Sequence, residues 1–244
     1  MLQYFPSGDS ALIIKVGNEI SLEINHKIRA LLTKIEKENI PGVIDFIPSY
    51  NELMICYDPL KISFQGLLTK IKFLSNNLEL LSRPPSSTIV VPVHYGDDFG
   101  PDLNEVASYN NLSPDEVVRI HSSASYHVYM LGFTPGFCYL GGMDQRLATP
   151  RKHNPRLKIP AGAVGIAEQQ TGIYPIESPG GWQLIGQTPV KLFDPSRKTV
   201  FLVEPGDKLQ FVSITKETFN SILKEVSDGT YQIQITHETQ TNKA

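Results

Sequence analysis

Two arginines on one short, proline-bounded loop, Arg151 and Arg156 within Pro150-Arg151-Lys152-His153-Asn154-Pro155-Arg156, are the residues of this chain best suited to hold an anion. A guanidinium presents a planar fork of donors that matches a carboxylate or phosphate. Lys158 adds a third charge close by. The competing reading is a solvated basic turn, or a patch for salt bridges to a partner protein, because isolated surface pairs are worth little. Further along, Gln170, Thr171 and Tyr174 are followed by Ser178-Pro179-Gly180-Gly181-Trp182-Gln183. Amide, hydroxyl and phenol groups of this kind pair with a lactam or carboxamide without carrying charge. Trp182, the single tryptophan, is either one wall of an apolar pocket or a core residue.

Three histidines and one aspartate are candidates for proton transfer, since imidazole titrates near neutrality. His94 precedes Tyr95-Gly96-Asp97-Asp98 at the end of an expected strand. His127 lies in the apolar run Tyr126 to Gly132 and faces either a cavity or a polar core position. His121 ends an expected helix, where a cation is favoured by the helix dipole. Asp102 stands three residues before Glu105, the spacing of a capping box opening a helix at Leu103. Cys56 and Cys138, the only cysteines, fall outside any ligand spacing, so neither a zinc site nor a disulfide framework is indicated. The chain has no phosphate-binding G-x-x-x-x-G-K-[ST] loop, no G-x-S-x-G elbow, no G-x-G-x-x-G and no H-E-x-x-H.

The elements that must position these groups fall into two regions. In the first, Ala11 to Val16 reads as a strand, and Ile20, Ile24, Ile28, Leu31, Leu32 and Ile35 recur at helical spacing between Glu19 and Asn39. Two strands, Val43 to Ile47 and Glu52 to Tyr57, precede a second helix from Leu60 to Leu81. That order suggests an α+β sandwich of ferredoxin-like type over residues 1–82. Residues 83–87, Arg-Pro-Pro-Ser-Ser, read as a linker. A second domain over 88–236 opens with a strand, Thr88 to Val93, and Ser113-Pro114-Asp115-Glu116 carries helix-start chemistry.

From Tyr126 onward, short apolar runs alternate with glycine and proline, including Val164 to Ala167, Thr199 to Val203 and Lys208 to Phe211. This is the pattern of a mainly-β barrel or sandwich. Rigid Gly/Pro loops on such a scaffold are places where binding residues are carried. Residues 237–244 form a polar tail. A net charge of -3 argues against a nucleic-acid surface, and no stretch is apolar enough to span a membrane. The start of the chain has no secretory pattern, and two free thiols fit a reducing cytoplasm.

The run GFTPGFCYLGGMDQRLATPRKHNPRLKIPAGAVGIAEQQTGIYPIESPGGWQLIGQTPVKLFDP, Gly132 to Pro195, resembles the signature of the carboxyltransferase subdomain C/D family that includes KipI, the B component of 5-oxoprolinase (PxpB) and proteins of allophanate hydrolase subunit 1 type. His94-Tyr95-Gly96 and Gly100-Pro101-Asp102-Leu103 are similar to that family as well. The resemblance implies a cyclophilin-like barrel for the second domain and ATP-dependent opening of 5-oxo-L-proline to L-glutamate. It also implies partners in a hetero-oligomer, a homologous C component (PxpC/KipA type) and a separate A component (PxpA/LamB-YcsF type). ATP and Mg2+ then act at the level of the complex, and this chain is inactive alone.

The family's motif positions fall here on His94, Asp102, Pro135, Gly136, Phe137, Tyr139, Arg151, Arg156, Pro160, Gly162, Thr171, Tyr174, Pro179, Gly180, Gly181 and Trp182. Pro135, Gly136, Phe137, Tyr139, Pro160 and Gly162 are expected to shape the pocket, with His94, Asp102 and His127 as catalytic candidates. The chain departs from the family at Ala163 and Glu168, where a small hydroxyl residue and a glycine are more usual. Two other activities belong to the same resemblance: inhibition of a sporulation histidine kinase, and a role in a urea carboxylase or allophanate hydrolase system, which calls for a biotin-dependent partner.

Overall fold

The computed structural model describes residues 2–76 and 85–237. They divide into two units, one ending at Pro85 and the other beginning at Ser86.

The first unit contains β1 (Gln3–Ser7), β2 (Ala11–Lys15), α1 (Leu22–Lys37), β3 (Val43–Pro48), β4 (Glu52–Tyr57) and α2 (Phe64–Leu74). All neighbours in its sheet are antiparallel, in the order β1-β2-β4-β3. β1 is absent from the sequence reading, because Pro6 and the exposed Phe5 spoil its alternation. It is an edge strand, the one place where a proline costs no ladder bond. The first helix starts later than its periodicity suggests: Ser21 caps it by accepting from the Ile24 amide, so Ile20 lies outside the helix and is exposed. Ile28, Leu31 and Ile35 form its fully buried stripe.

Leu60 likewise stays out of the second helix, in a turn whose amide is taken by the Asp58 carboxylate, and Ser63 provides the cap. The part of that expected helix beyond Asn76 lies outside the described residues, as do Arg83 and Pro84 of the expected linker and residues 238–244 of the expected tail. Leu12 and Ile14 of β2 and Leu53 and Ile55 of β4 close this core against Leu67 and Ile71. Each such side chain contributes about 1.5–3 kcal/mol by leaving water.

The second unit is a closed barrel. Its strands are β5 (Ser87–Tyr95), β6 (Ser125–Leu131), β7 (Cys138–Gly141), β9 (Ala163–Ala167), β10 (Gln170–Ile173), β12 (Gln183–Gln187) and β13 (Lys208–Ser213). They follow one another round the ring as β5-β12-β9-β10-β7-β6-β13, and β13 returns to β5 in parallel. The short strands β8 (Arg156–Ile159) and β11 (Ser178–Gly180) form a separate two-stranded ribbon. β14 (Ile235–His237) adds to the other edge of β5, so His237, expected in the tail, is in a strand, with its Nδ1 2.9 Å from the Ser87 hydroxyl. Thr199 to Val203 is not a strand: it makes only a bridge from Phe201 to Phe193 across the turn at Pro195-Ser196.

The α-helices α3 (Leu103–Tyr109), α4 (Pro114–Ser123) and α5 (Lys216–Ser227) accompany the barrel. α4 opens with the full capping box of Ser113 and Glu116. Val91, Val93, Val128, Leu140, Val164, Ile173, Ile185 and Phe211 fill the barrel. Among the described residues no helix is long and apolar enough to cross a membrane.

Candidate functional site

Asp102 is the centre of the most highly connected polar cluster. It stands at the N-terminus of α3, as its spacing to Glu105 suggests, but its side chain does not cap the helix. The carboxylate turns instead toward the Pro150–Arg156 loop. Oδ1 accepts from Arg156 Nη2 at 2.7 Å and from Lys152 Nζ at 3.0 Å, while Oδ2 accepts from the Leu184 amide at 2.7 Å. Lys152 also reaches Glu105 at 2.8 Å and Gln183 at 3.4 Å. Gln183 donates to the Pro150 carbonyl at 3.1 Å. Helix, loop and β12 are thereby tied through one carboxylate that is 3% exposed.

Burial works against ionising Asp102, but the bonds from Arg156, the Leu184 amide and Lys152 outweigh it and hold the carboxyl below its usual range. A carboxylate so held is a weak base. Its arrangement fits a latch that fixes the loop, and Arg156 and Lys152 are spent on internal carboxylates rather than left open for an external anion. Bonds to Glu105 and Asp102 push the Lys152 ammonium up despite partial desolvation, so it stays charged.

Arg151, on the same loop, is exposed. Its charge acts on the Tyr174 phenol, which also feels Arg156 and Tyr139 and accepts from the Trp182 backbone N–H. Burial dominates there and pushes the phenol up to about 12, so at neutral pH Tyr174 keeps its proton. Phe137, Tyr174 and Trp182 are buried and meet edge to face, with ring centroids 5.5 to 6.2 Å apart. They form a second small core with Ile159, Ala163, Ala167 and Leu184, and Tyr139 packs at its margin. Trp182 is thus a core residue that supports the surface above it, of which Arg151, Tyr139, Gly180 and Gly181 are the accessible parts. A Cβ on Gly180 would collide with the Tyr174 hydroxyl, and the Lys152 amide is bonded to the Gly181 carbonyl at 2.7 Å.

The other expected site residues are dispersed. Thr171 is fully buried on β10. Its hydroxyl donates to the Gly165 carbonyl at 3.0 Å and lies 2.8 Å from His121 Nε2, so it belongs to the barrel interior and not to a ligand surface. His121 is not a cation at a helix end: desolvation lowers it to about 3, and the neutral ring bridges the Tyr95 hydroxyl at 2.8 Å and Thr171. His127 is buried on β6 with its ring edge-on to Tyr129. His94, at the far end of β5, donates from Nδ1 to the Ile214 carbonyl at 3.0 Å, and its Nε2 is 3.6 Å from Asp97 Oδ2. The three catalytic candidates therefore stand on three separate elements.

Gln170 begins β10, Pro135 is exposed and Pro160 is exposed beside the ribbon. Gly136 and Gly162 both have positive φ, and a Cβ on Gly162 would strike the Thr188 carbonyl. Cys138 is fully buried, and burial pushes its thiol up to about 12, so it is no nucleophile at neutral pH. Sequence reasoning misses Lys152, Glu105, Gln183 and the Leu184 amide. The available signal was Lys152 itself, a third cation between two arginines on a loop already singled out.

The chain belongs to the family "Carboxyltransferase domain, subdomain C and D", whose model matches residues 2–203. It is 43% identical over 228 residues to the B component of 5-oxoprolinase from Bacillus subtilis (strain 168), across 89% of this chain and 95% of that protein. Among solved structures, TTHA0988 is 38% identical with a TM-score of 0.75 over 88% of this chain, which spans 40% of that longer one. The K. lactis urea amidolyase is similar with a TM-score of 0.80 over 97% of this chain and 16% of that one, and at 22% identity this is a likeness of fold.

Proposed function

We propose that the chain is the B component of an ATP-dependent 5-oxoprolinase, which opens 5-oxo-L-proline to L-glutamate together with A and C components of PxpA and PxpC type and is inactive alone. The observation that carries this reading is the nearly end-to-end match, at 43% identity, to the B component of the Bacillus subtilis 5-oxoprolinase, covering 95% of that protein. Within it, Arg151 reads the substrate carboxylate and the accessible Gly180-Gly181 backbone faces the lactam, with Tyr174 packed beneath it as support. The latch of Asp102, Lys152 and Arg156 positions the loop that carries Arg151.

ATP with Mg2+ does not fit the residues of this chain. Lys152 and Arg156 are paired with Asp102 and Glu105, at 2.7 to 3.0 Å, Arg151 is given to the substrate carboxylate, and the sequence has no G-x-x-x-x-G-K-[ST] phosphate loop. No step of the reaction is therefore assigned to nucleotide here, and ATP with Mg2+ is placed at the level of the complex. The same reading places the complex in the cytoplasm and treats residues 1–82 and 88–236 as separate domains. It takes the barrel as cyclophilin-like. It takes the sheet order β1-β2-β4-β3 as a ferredoxin-like arrangement whose outer strand comes from the N-terminus instead of following the second helix.

The test is reconstitution, measuring glutamate release and ATP hydrolysis with 5-oxoproline while each of the three components is omitted in turn. Glutamate formed only by the complete mixture supports the proposal. Full turnover without this chain, or none from a folded, co-purifying complex, overturns it.

A further inference from the structure

A cleft of about 330 Å³ lies outside the Asp102–Tyr174 patch, between the 190–202 loop and the end of α5. That volume is at the small end of ligand pockets. One side is cationic. Arg197 donates from Nη2 to the Lys191 carbonyl at 2.9 Å, which fixes the guanidinium, yet its buried Nε–H meets no hydrogen-bond acceptor among the described residues. Leaving such a donor unmatched is costly, and a carboxylate is the partner its fork fits.

Lys191 lines the same cleft, with its ammonium 3.6 Å from Asp194 Oδ2. Asp194 is otherwise occupied: its Oδ1 takes the Ser196 amide at 3.0 Å and the Ser196 hydroxyl at 2.6 Å. With Lys191 and Arg197 against Asp194, the lining carries one net positive charge. Val190, Leu202, Val226 and Ile233 supply an apolar middle. At the opposite side, Val226, Ser227 and Gly229 bring the C-terminal end of the twelve-residue α5 to the cleft. The last turn is already capped, with the Asp228 amide on the Lys224 carbonyl, the Thr230 and Tyr231 amides on that of Glu225 and the Gly229 amide on that of Val226, so this side gives the cleft shape and not open acceptors.

The geometry points to a second binding site in this cleft, for a small carboxylic acid whose carboxylate is held by Arg197 and Lys191 and whose body lies against Val190, Leu202, Val226 and Ile233. The site stands on its own lining, while the choice of 5-oxoproline as the first probe rests on the proposed function. A product or substrate bound there would sit apart from Arg151 and so act as an effector and not as a reactant.

The experiment is titration of the full chain, without its partners, with 5-oxo-L-proline, pyrrolidin-2-one (no carboxylate) and cyclopentanecarboxylate (no N–H), read by amide NMR shifts and calorimetry. Expected are saturable shifts in residues 190–202 and 226–233 with 5-oxoproline and with cyclopentanecarboxylate, and none with pyrrolidin-2-one. Arg197→Met should weaken 5-oxoproline binding by about 10- to 100-fold, the range for a lost hydrogen bond to a charged group. Lys191→Met, on a more exposed side chain, keeps the site testable should the arginine variant fail to fold, and it should weaken binding by a smaller factor. No shifts in these two segments with either acid, binding of pyrrolidin-2-one as strong as that of 5-oxoproline, or wild-type affinity in the folded variants would overturn the assignment. Each of those failures leaves turnover by the complete three-component mixture unaffected, so the two proposals fail separately.

Discussion

His121 in the barrel interior and Asp102 beside β12 are almost equally hidden, at 0% and 3% exposure, yet one is neutral and the other ionised. His121 is offered only neutral partners, the Tyr95 and Thr171 hydroxyls and the Phe211 ring stacked at 4.6 Å, so desolvation decides and the ring stays uncharged. Asp102 is offered a guanidinium, an ammonium and a backbone amide, so pairing decides and the carboxylate stays ionised. The difference teaches that burial alone does not set protonation; the donors delivered by the surrounding chain do. It also separates the roles: a neutral network holds the barrel together, and a charged one anchors a surface loop.

The comparison can be broken first at the latch. Asp102→Ala leaves Arg156, Lys152 and the Leu184 amide without their common acceptor. Removing one member of a buried pair costs about 3–5 kcal/mol, and because both cations are about a quarter exposed the expected loss is nearer 3 kcal/mol, measured by urea unfolding. Thr171→Val should come next, at about 1–3 kcal/mol, because it leaves His121 Nε2 and the Gly165 carbonyl unmatched in the interior.

Acid then sharpens the contrast. A histidine whose folded pKa is depressed takes up its proton in the unfolded chain first, so stability should fall by about 1.4 kcal/mol per pH unit from about pH 6.5 downward, toward the folded value of about 3. Asp102, also depressed, contributes stability that is present above its unfolded pKa of about 3.9 and is lost only as pH falls through the still lower folded value. His121→Gln should therefore flatten the slope between pH 6.5 and 4, whereas Asp102→Asn should lower stability already at neutral pH and flatten the slope only below about pH 4; the reverse pattern in unfolding curves taken across pH would refute the assignment. The smallest effect is expected for Lys152→Met, at most about 1 kcal/mol, since Arg156 and the Leu184 amide still hold Asp102.

Much of this was legible in the chain itself. Ser113-Pro114-Asp115-Glu116 declared α4, and Gly/Pro corners between short apolar runs declared a barrel. The loop of Arg151 and Arg156 was marked by composition alone. Local spacing misled where a distant partner competed: Asp102 and Glu105 have capping spacing, but the pull of Arg156 and Lys152, some fifty residues away, turns the carboxylate off the helix. His121 misled for the same reason, since helix position suggests a cation and only the packed Phe211 and Tyr126 rings reveal the desolvation. Glu168, noted as standing where relatives more often have glycine, sits at φ 53 in the turn between β9 and β10, a conformation that glycine adopts more readily. The unmatched Arg197 donor had no sequence signal, because it is set by how the 190–202 loop folds on itself, with the guanidinium drawn to the Lys191 carbonyl.

The claim that the exposed Arg151 reads the substrate while the latch beneath it only positions the loop is tested most directly by the KM for 5-oxoproline in the reconstituted three-component mixture. Arg151→Ala should raise KM about 10- to 100-fold with its thermal midpoint unchanged, as for a lost hydrogen bond to a charged group. An unchanged KM in a folded Arg151→Ala complex would contradict the account and move substrate recognition away from this loop.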